Sequence, residues 1–102
     1  MYNTELKTKF IRQYTQSIGT AKNAESIFNA MQPYEEEWGA DLCTRSTEEL
    51  QSALDSVLSL RGKSQTTPLV ILREYAKWCI ENHVPKAGDG ALHVELAGGD
   101  KI

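Results

Sequence analysis

Between Ser64 and Asn82 the chain reads SQTTPLVILREYAKWCIEN, and no other stretch restricts the fold as tightly. Ser64 or Thr67 can accept hydrogen bonds from the free amides of a first helical turn, where Pro68 loses little by having no amide of its own. The pattern therefore predicts a helix beginning near Gln65. From there Leu69, Leu72, Tyr75, Ala76, Cys79 and Ile80 recur at three- and four-residue steps, with Ile71 and Trp78 widening the stripe. A stripe this broad needs several helical partners. Thr66, Arg73 and Lys77 fall on the opposite side, spaced to project together away from the packed face.

Three more helices are readable upstream. Asn3 or Thr4 can cap one running to about Gln16, with Leu6, Phe10, Ile11 and Tyr14 inside and Lys7, Lys9 and Arg12 forming a basic, solvated outer face. Gly19 is placed to end it in a left-handed cap. The second helix is expected from about Ala21 to Trp38, packing Ala24, Ile27, Phe28, Met31 and Tyr34 and exposing Lys22, Asn23, Ser26 and Asn29, with a kink or short break at Pro33. The triplet Glu35 to Glu37 reads as a solvated face, since adjacent residues point around a helix and cannot converge on a metal. Gly39 ends this segment, and an extended connection from Ala40 to Arg45 tucks Leu42 into the core. Ser46, Thr47, Glu48 and Glu49 then form a capping box that opens a third helix, to about Ser59 or Leu60, with Leu50, Ala53, Leu54, Val57 and Leu58 inward. A tight turn at Arg61, Gly62 and Lys63 would make helices three and four antiparallel neighbours.

Beyond His83 the pattern changes. Val84 and Pro85 stop the fourth helix, Lys86 to Gly90 reads as a linker, and Ala91 to Leu96 alternates as a short strand would before a loop at Gly98 and Gly99. The division expected is an all-α domain over 1–84 and an interdomain linker or tail over 85–102. The stop at Ile102, with no structural closure, suggests a cut between domains of a longer protein.

Few kinds of chemistry fit. At 102 residues, 40% hydrophobic and 25% charged, the chain suits one globular domain. No apolar run approaches a membrane span and the N-terminus has no signal-peptide core, so no membrane partner and a cytoplasmic location are expected. A net charge of −3 argues against a domain that grips nucleic acid by bulk positive charge, so any DNA contact must be local. Cys43 and Cys79 read as reduced, half-buried thiols rather than a disulfide framework. Cys79 and His83, four apart, are only half of a closed zinc site. With no nucleophile elbow, phosphate loop or dinucleotide fingerprint, neither catalysis nor a cofactor is expected within this chain.

Taken together, SIGTAKNAESIF, Tyr34–Glu35 followed by Gly39-Ala40-Asp41-Leu42, the Ser46 to Leu50 helix start, and Ser64 to Cys79 with its Leu72-Arg73-Glu74-Tyr75 and Trp78-Cys79 core resemble the N-terminal SAM-like, core-binding domain of phage integrases, the tyrosine recombinases. The resemblance covers about Glu5 to Asn82. It implies a compact four- or five-helix bundle that forms one half of a clamp on a double-stranded recombination half-site, joined by a linker to a catalytic domain of the same polypeptide and working beside other recombinase protomers. It places the catalytic residues outside this chain. For DNA contacts it nominates Thr20, Lys22, Asn23 and Ser26 on helix two and Lys63, Ser64, Thr66, Thr67, Arg73 and Lys77 on helix four. Two helix N-termini beside a few cations could seat phosphates without strong net basicity. The alternative left open is a small helical protein-interaction module, in which the same residues are ordinary surface.

Overall fold

The computed structural model describes residues 1–59 and 66–95. Four helices, α1 (Thr4–Tyr14), α2 (Ile18–Trp38), α3 (Thr47–Ser59) and α4 (Thr66–Glu81), carry the fold; single 3₁₀ turns follow α2 at Leu42–Thr44 and α4 at Gly90–His93. The architecture is an all-α bundle, as the apolar periodicities predict. The turn expected at Arg61 to Lys63 and the loop at Gly98 and Gly99 lie outside the described residues.

Local chemistry sets the boundaries. The capping box forms: the Glu49 amide donates to Ser46 Oγ at 3.2 Å, and the Ser46 amide to Glu49 Oε1 at 3.2 Å. Gly39 closes α2 in the left-handed region, φ 69°, with its amide on the Glu35 carbonyl. Gly19, expected as the stop for α1, instead lies in the first turn of α2, because Ser17 caps that helix earlier by accepting from the Thr20 amide at 3.3 Å. α2 also runs unbroken through Pro33, whose ring is exposed. Proline's fixed φ is itself helical, so one lost hydrogen bond is outweighed by the packing on both sides.

Three rings pin three helices. Phe10 of α1, Phe28 of α2 and Tyr75 of α4 meet edge to face, with centroids 5.0 to 6.0 Å apart. Trp78 packs on Phe10 at 5.7 Å and donates from Nε1 to Gln13 at 2.9 Å. Around these rings Ile27, Met31, Leu42, Leu50, Leu54, Leu69, Leu72 and Cys79 are fully buried. Of the expected α4 stripe Ile80 is exposed, at 40%, and Trp78 is half-buried; the rest are buried. Cys43 and Cys79 are free and fully buried rather than half-buried.

The segment after α4 returns to the bundle. Instead of a strand at Ala91 to Leu96, the described residues form the second 3₁₀ turn, with Ala91 and Val94 buried. A lone strand would have had no edge to pair with, whereas here the backbone polar groups find side chains. Thr47 Oγ1 donates to the Gly90 carbonyl at 2.9 Å, Gln51 exchanges two bonds with the Glu95 backbone, and Arg73 Nη2 donates to the Val94 carbonyl at 2.6 Å. This segment thus stitches α3 to α4. Gly90 is required at the crossing: a Cβ there would stand 2.3 Å from the Arg45 carbonyl oxygen.

Candidate nucleic-acid interface

The first turns of α2 present an open surface. Lys22, Asn23 and Ser26 are exposed and Thr20 is half-buried, as their positions opposite Ala24, Ile27 and Phe28 require. Ile18, at the first position of the helix, is 75% exposed, an apolar side chain in solvent one turn before Lys22. Sequence reasoning passed it over because it assigned Ile18 to a connection. Two of the four amides at this end are satisfied, that of Thr20 by the Ser17 hydroxyl and that of Ser17 by Thr15 Oγ1, which leaves the Ile18 and Gly19 amides as donors.

On α4 the nominated residues divide. Thr67 and Lys77 are exposed on a face shared with Val70 and Glu74 at three- and four-residue steps. Lys77 Nζ stands 3.6 Å from Glu74, an exposed pair that solvent screens heavily. Arg73 is half-buried and its guanidinium is turned to the Val94 carbonyl, so it fastens the C-terminal segment instead of projecting with Lys77 as expected. Thr66 opens α4, its side chain outside the described residues, as are Lys63 and Ser64.

Toward the C-terminal end of α2 lies a buried charge cluster that the sequence reading put in the wrong place. Lys7, expected on the basic outer face of α1, is fully buried; so is Glu35, expected on a solvated acidic face. Lys7 Nζ donates to the Tyr2 carbonyl at 2.7 Å, to Glu35 Oε2 at 2.7 Å and to Asp41 Oδ2 at 2.8 Å, using all three of its protons. The rings of Tyr2, Phe28 and Tyr75 stand 5.5 to 5.6 Å from the ammonium. The signal was present: Lys7 precedes Phe10, Ile11 and Tyr14 by three, four and seven residues, and Glu35 follows Phe28 and Met31 by seven and four, so both stand on the apolar stripes.

The two acids of this cluster titrate in opposite directions. Burial raises Glu35 to about 7, against the pull of Lys7 and the Leu42 amide, and both of those act on Oε2 while the buried Oε1 has no partner. Burial works against Asp41 too, but Lys7, the Cys43 amide and Asn3 Nδ2 hold its carboxyl below the usual carboxylate value. Tyr75 also donates to Asp41, at 3.0 Å, and its phenol is pushed up by burial and by that carboxylate. Cys43 is pushed up by its hydrogen bond to Cys79 and by burial.

Among the described residues no three His, Cys, Asp or Glu side chains gather to hold a metal ion. Cys79 faces the core while His83 is exposed. No described helix is long and apolar enough to cross a membrane. The family model described as MrpR, N-terminal core-binding domain matches residues 1–81, while no curated protein and no solved structure matches.

Proposed function

We propose that this chain, which belongs to the family of MrpR N-terminal core-binding domains, is the double-stranded DNA-binding module of a site-specific tyrosine recombinase. In this reading it grips one side of a recombination half-site, tethered to a catalytic domain of the same polypeptide and flanked on DNA by other protomers. The observation that carries it is the open N-terminal end of α2, where Lys22, Asn23, Ser26 and free backbone amides share one exposed surface in an otherwise acidic protein. Such an end positions phosphates, and the Asn23 amide can pair with an adenine edge in the major groove. Lys77 and Thr67 extend the contact onto α4. Arg73 supports it indirectly by holding Val94.

With so few cations, binding to a short mixed-sequence duplex is weak and falls steeply with salt, at a log–log slope of about −0.9 per phosphate neutralised. Lys22→Ala combined with Lys77→Ala leaves thermal unfolding in place, weakens binding at low salt and reduces that slope by about 2. Fluorescence anisotropy across a salt series measures both quantities. An unchanged slope and affinity in the double variant would remove these residues from any DNA interface.

A further inference from the structure

A second surface, made of opposite chemistry, lies at the other end of α2. Tyr34 and Trp38, one turn apart, hold their rings with centroids 6.2 Å apart and planes tilted by 39°, and both are half-buried against the bundle. They form one wall of an open cleft of about 440 Å³, with the first turns of α3 as the other wall and the small side chain of Ala53 leaving room at its floor. Glu37, Glu48 and Glu49 line the same cleft. Glu49 is engaged by Ser46 and stands 3.6 Å from Arg45. Glu37 and Glu48 are exposed, and among the described residues neither has an ion-pair partner.

Aromatic faces bordered by unpaired carboxylates select a cation with a flat or apolar-stemmed head group. A guanidinium stacks on indole and phenol faces while its edge bonds carboxylates, and a lysine stem packs on the same rings. Phosphates are repelled here, so nucleic acid is not the occupant. A purely apolar segment would strand two carboxylates at its edge. We infer that this cleft is a docking site for a basic peptide segment of a partner protein, which seats an arginine or lysine head group on Tyr34 and Trp38 beside Glu37 and Glu48. The inference does not depend on the DNA reading. Asn23 and Tyr34 are about 16 Å apart along the helix axis, so both surfaces can be occupied together.

The test is a two-dimensional NMR titration of the isotope-labelled chain, at low salt, with an acetylated and amidated Gly-Arg-Arg-Arg-Gly peptide. Shifts are expected to concentrate on Tyr34, Trp38, Ser52 and Ala53. Glu37→Gln with Glu48→Gln should weaken the affinity about fivefold or more. Glu25→Gln with Glu81→Gln, an equal change of charge on exposed residues outside the cleft, should leave it as it was. Absent shifts, shifts spread over the whole acidic surface, or equal weakening by the two double variants would overturn the inference. So would the same residues shifting with protein concentration alone, which would give the cleft to a second copy of the chain.

Discussion

Replacing Lys7 with methionine tests the interior of this domain most severely. The stem length is kept, so the apolar packing along α1 survives, but three hydrogen bonds go and the carboxylates of Glu35 and Asp41 are left buried without their cation. Removing one member of a buried ion cluster typically costs about 3 to 5 kcal/mol, a large part of the roughly 5 to 15 kcal/mol that holds a domain of this size together. The loss should depend on pH. Near pH 5 Glu35 is protonated with or without Lys7, so only Asp41 loses its counter-charge. Near pH 8 the parent holds Glu35 ionised against Lys7, whereas without the ammonium burial pushes that carboxyl higher still, and folding must either strand the charge or take up a proton. Urea denaturation followed by far-ultraviolet circular dichroism at both pH values gives the two differences directly, and the loss should be larger at the higher pH. Adding Glu35→Gln and Asp41→Asn to Lys7→Met should recover most of it, because the amide side chains need no counter-charge and their oxygens can still accept from the Leu42 and Cys43 amides. If Lys7→Met leaves the midpoint unmoved at the higher pH, the ammonium is not where the structure has it.

Three further changes probe separate parts of the bundle. Glu35→Gln removes a group whose folded value, about 7, lies above its ordinary 4.5: the stability linked to Glu35 is fully present below about 4.5 and is lost as pH rises through about 7. The variant's stability should accordingly vary less with pH over that window, on the order of 3 kcal/mol less, and parallel curves for variant and parent would refute the assignment. Leu72→Ala empties a fully buried site on α4 and should cost about 2 to 5 kcal/mol in chemical denaturation; a shift below a few tenths would place Leu72 outside the core. Gly90→Ala pushes a methyl group into the Arg45 carbonyl and should loosen the segment that joins α3 to α4, by about 1 to 3 kcal/mol, with faster amide exchange at Glu95; unchanged exchange would mean that the close approach does not exist.

Much of this architecture is written in short-range chemistry. The Ser46 and Glu49 box, the Gly39 stop and the α4 stripe each depend on residues within four or five positions, and each forms as read apart from the exposed Ile80 at the end of the stripe. What escaped is non-local. Lys7 and Glu35 sit in perfect core register, but a reading that sends every charge outward discards that register, and only the meeting of α1, α2 and Asp41 in three dimensions makes it affordable to bury them. Gly19 looked like a stop because a glycine after a helix usually is one, and Ser17 overrode it from two residues earlier. Alternation across Ala91 to Leu96 suggested a strand, whereas the two buried residues there, Ala91 and Val94, are three apart, which is the 3₁₀ repeat. Within the nominated contacts, exposure at Lys22, Asn23, Ser26 and Lys77 was legible from helical phase, whereas Thr67 was nominated by the family resemblance; the diversion of Arg73 was not legible, since its acceptor lies twenty-one positions away.

The placement of the two indoles also makes the domain its own optical reporter. Trp78 stands in the aromatic core with its Nε1 tied to Gln13, whereas Trp38 edges the acidic cleft at the far end of α2. A native emission spectrum therefore adds two unrelated environments. Trp38→Phe would leave a fluorophore that follows global unfolding, and Trp78→Phe one that follows events at the cleft, so that the two ends of the molecule can be watched separately without attaching a dye.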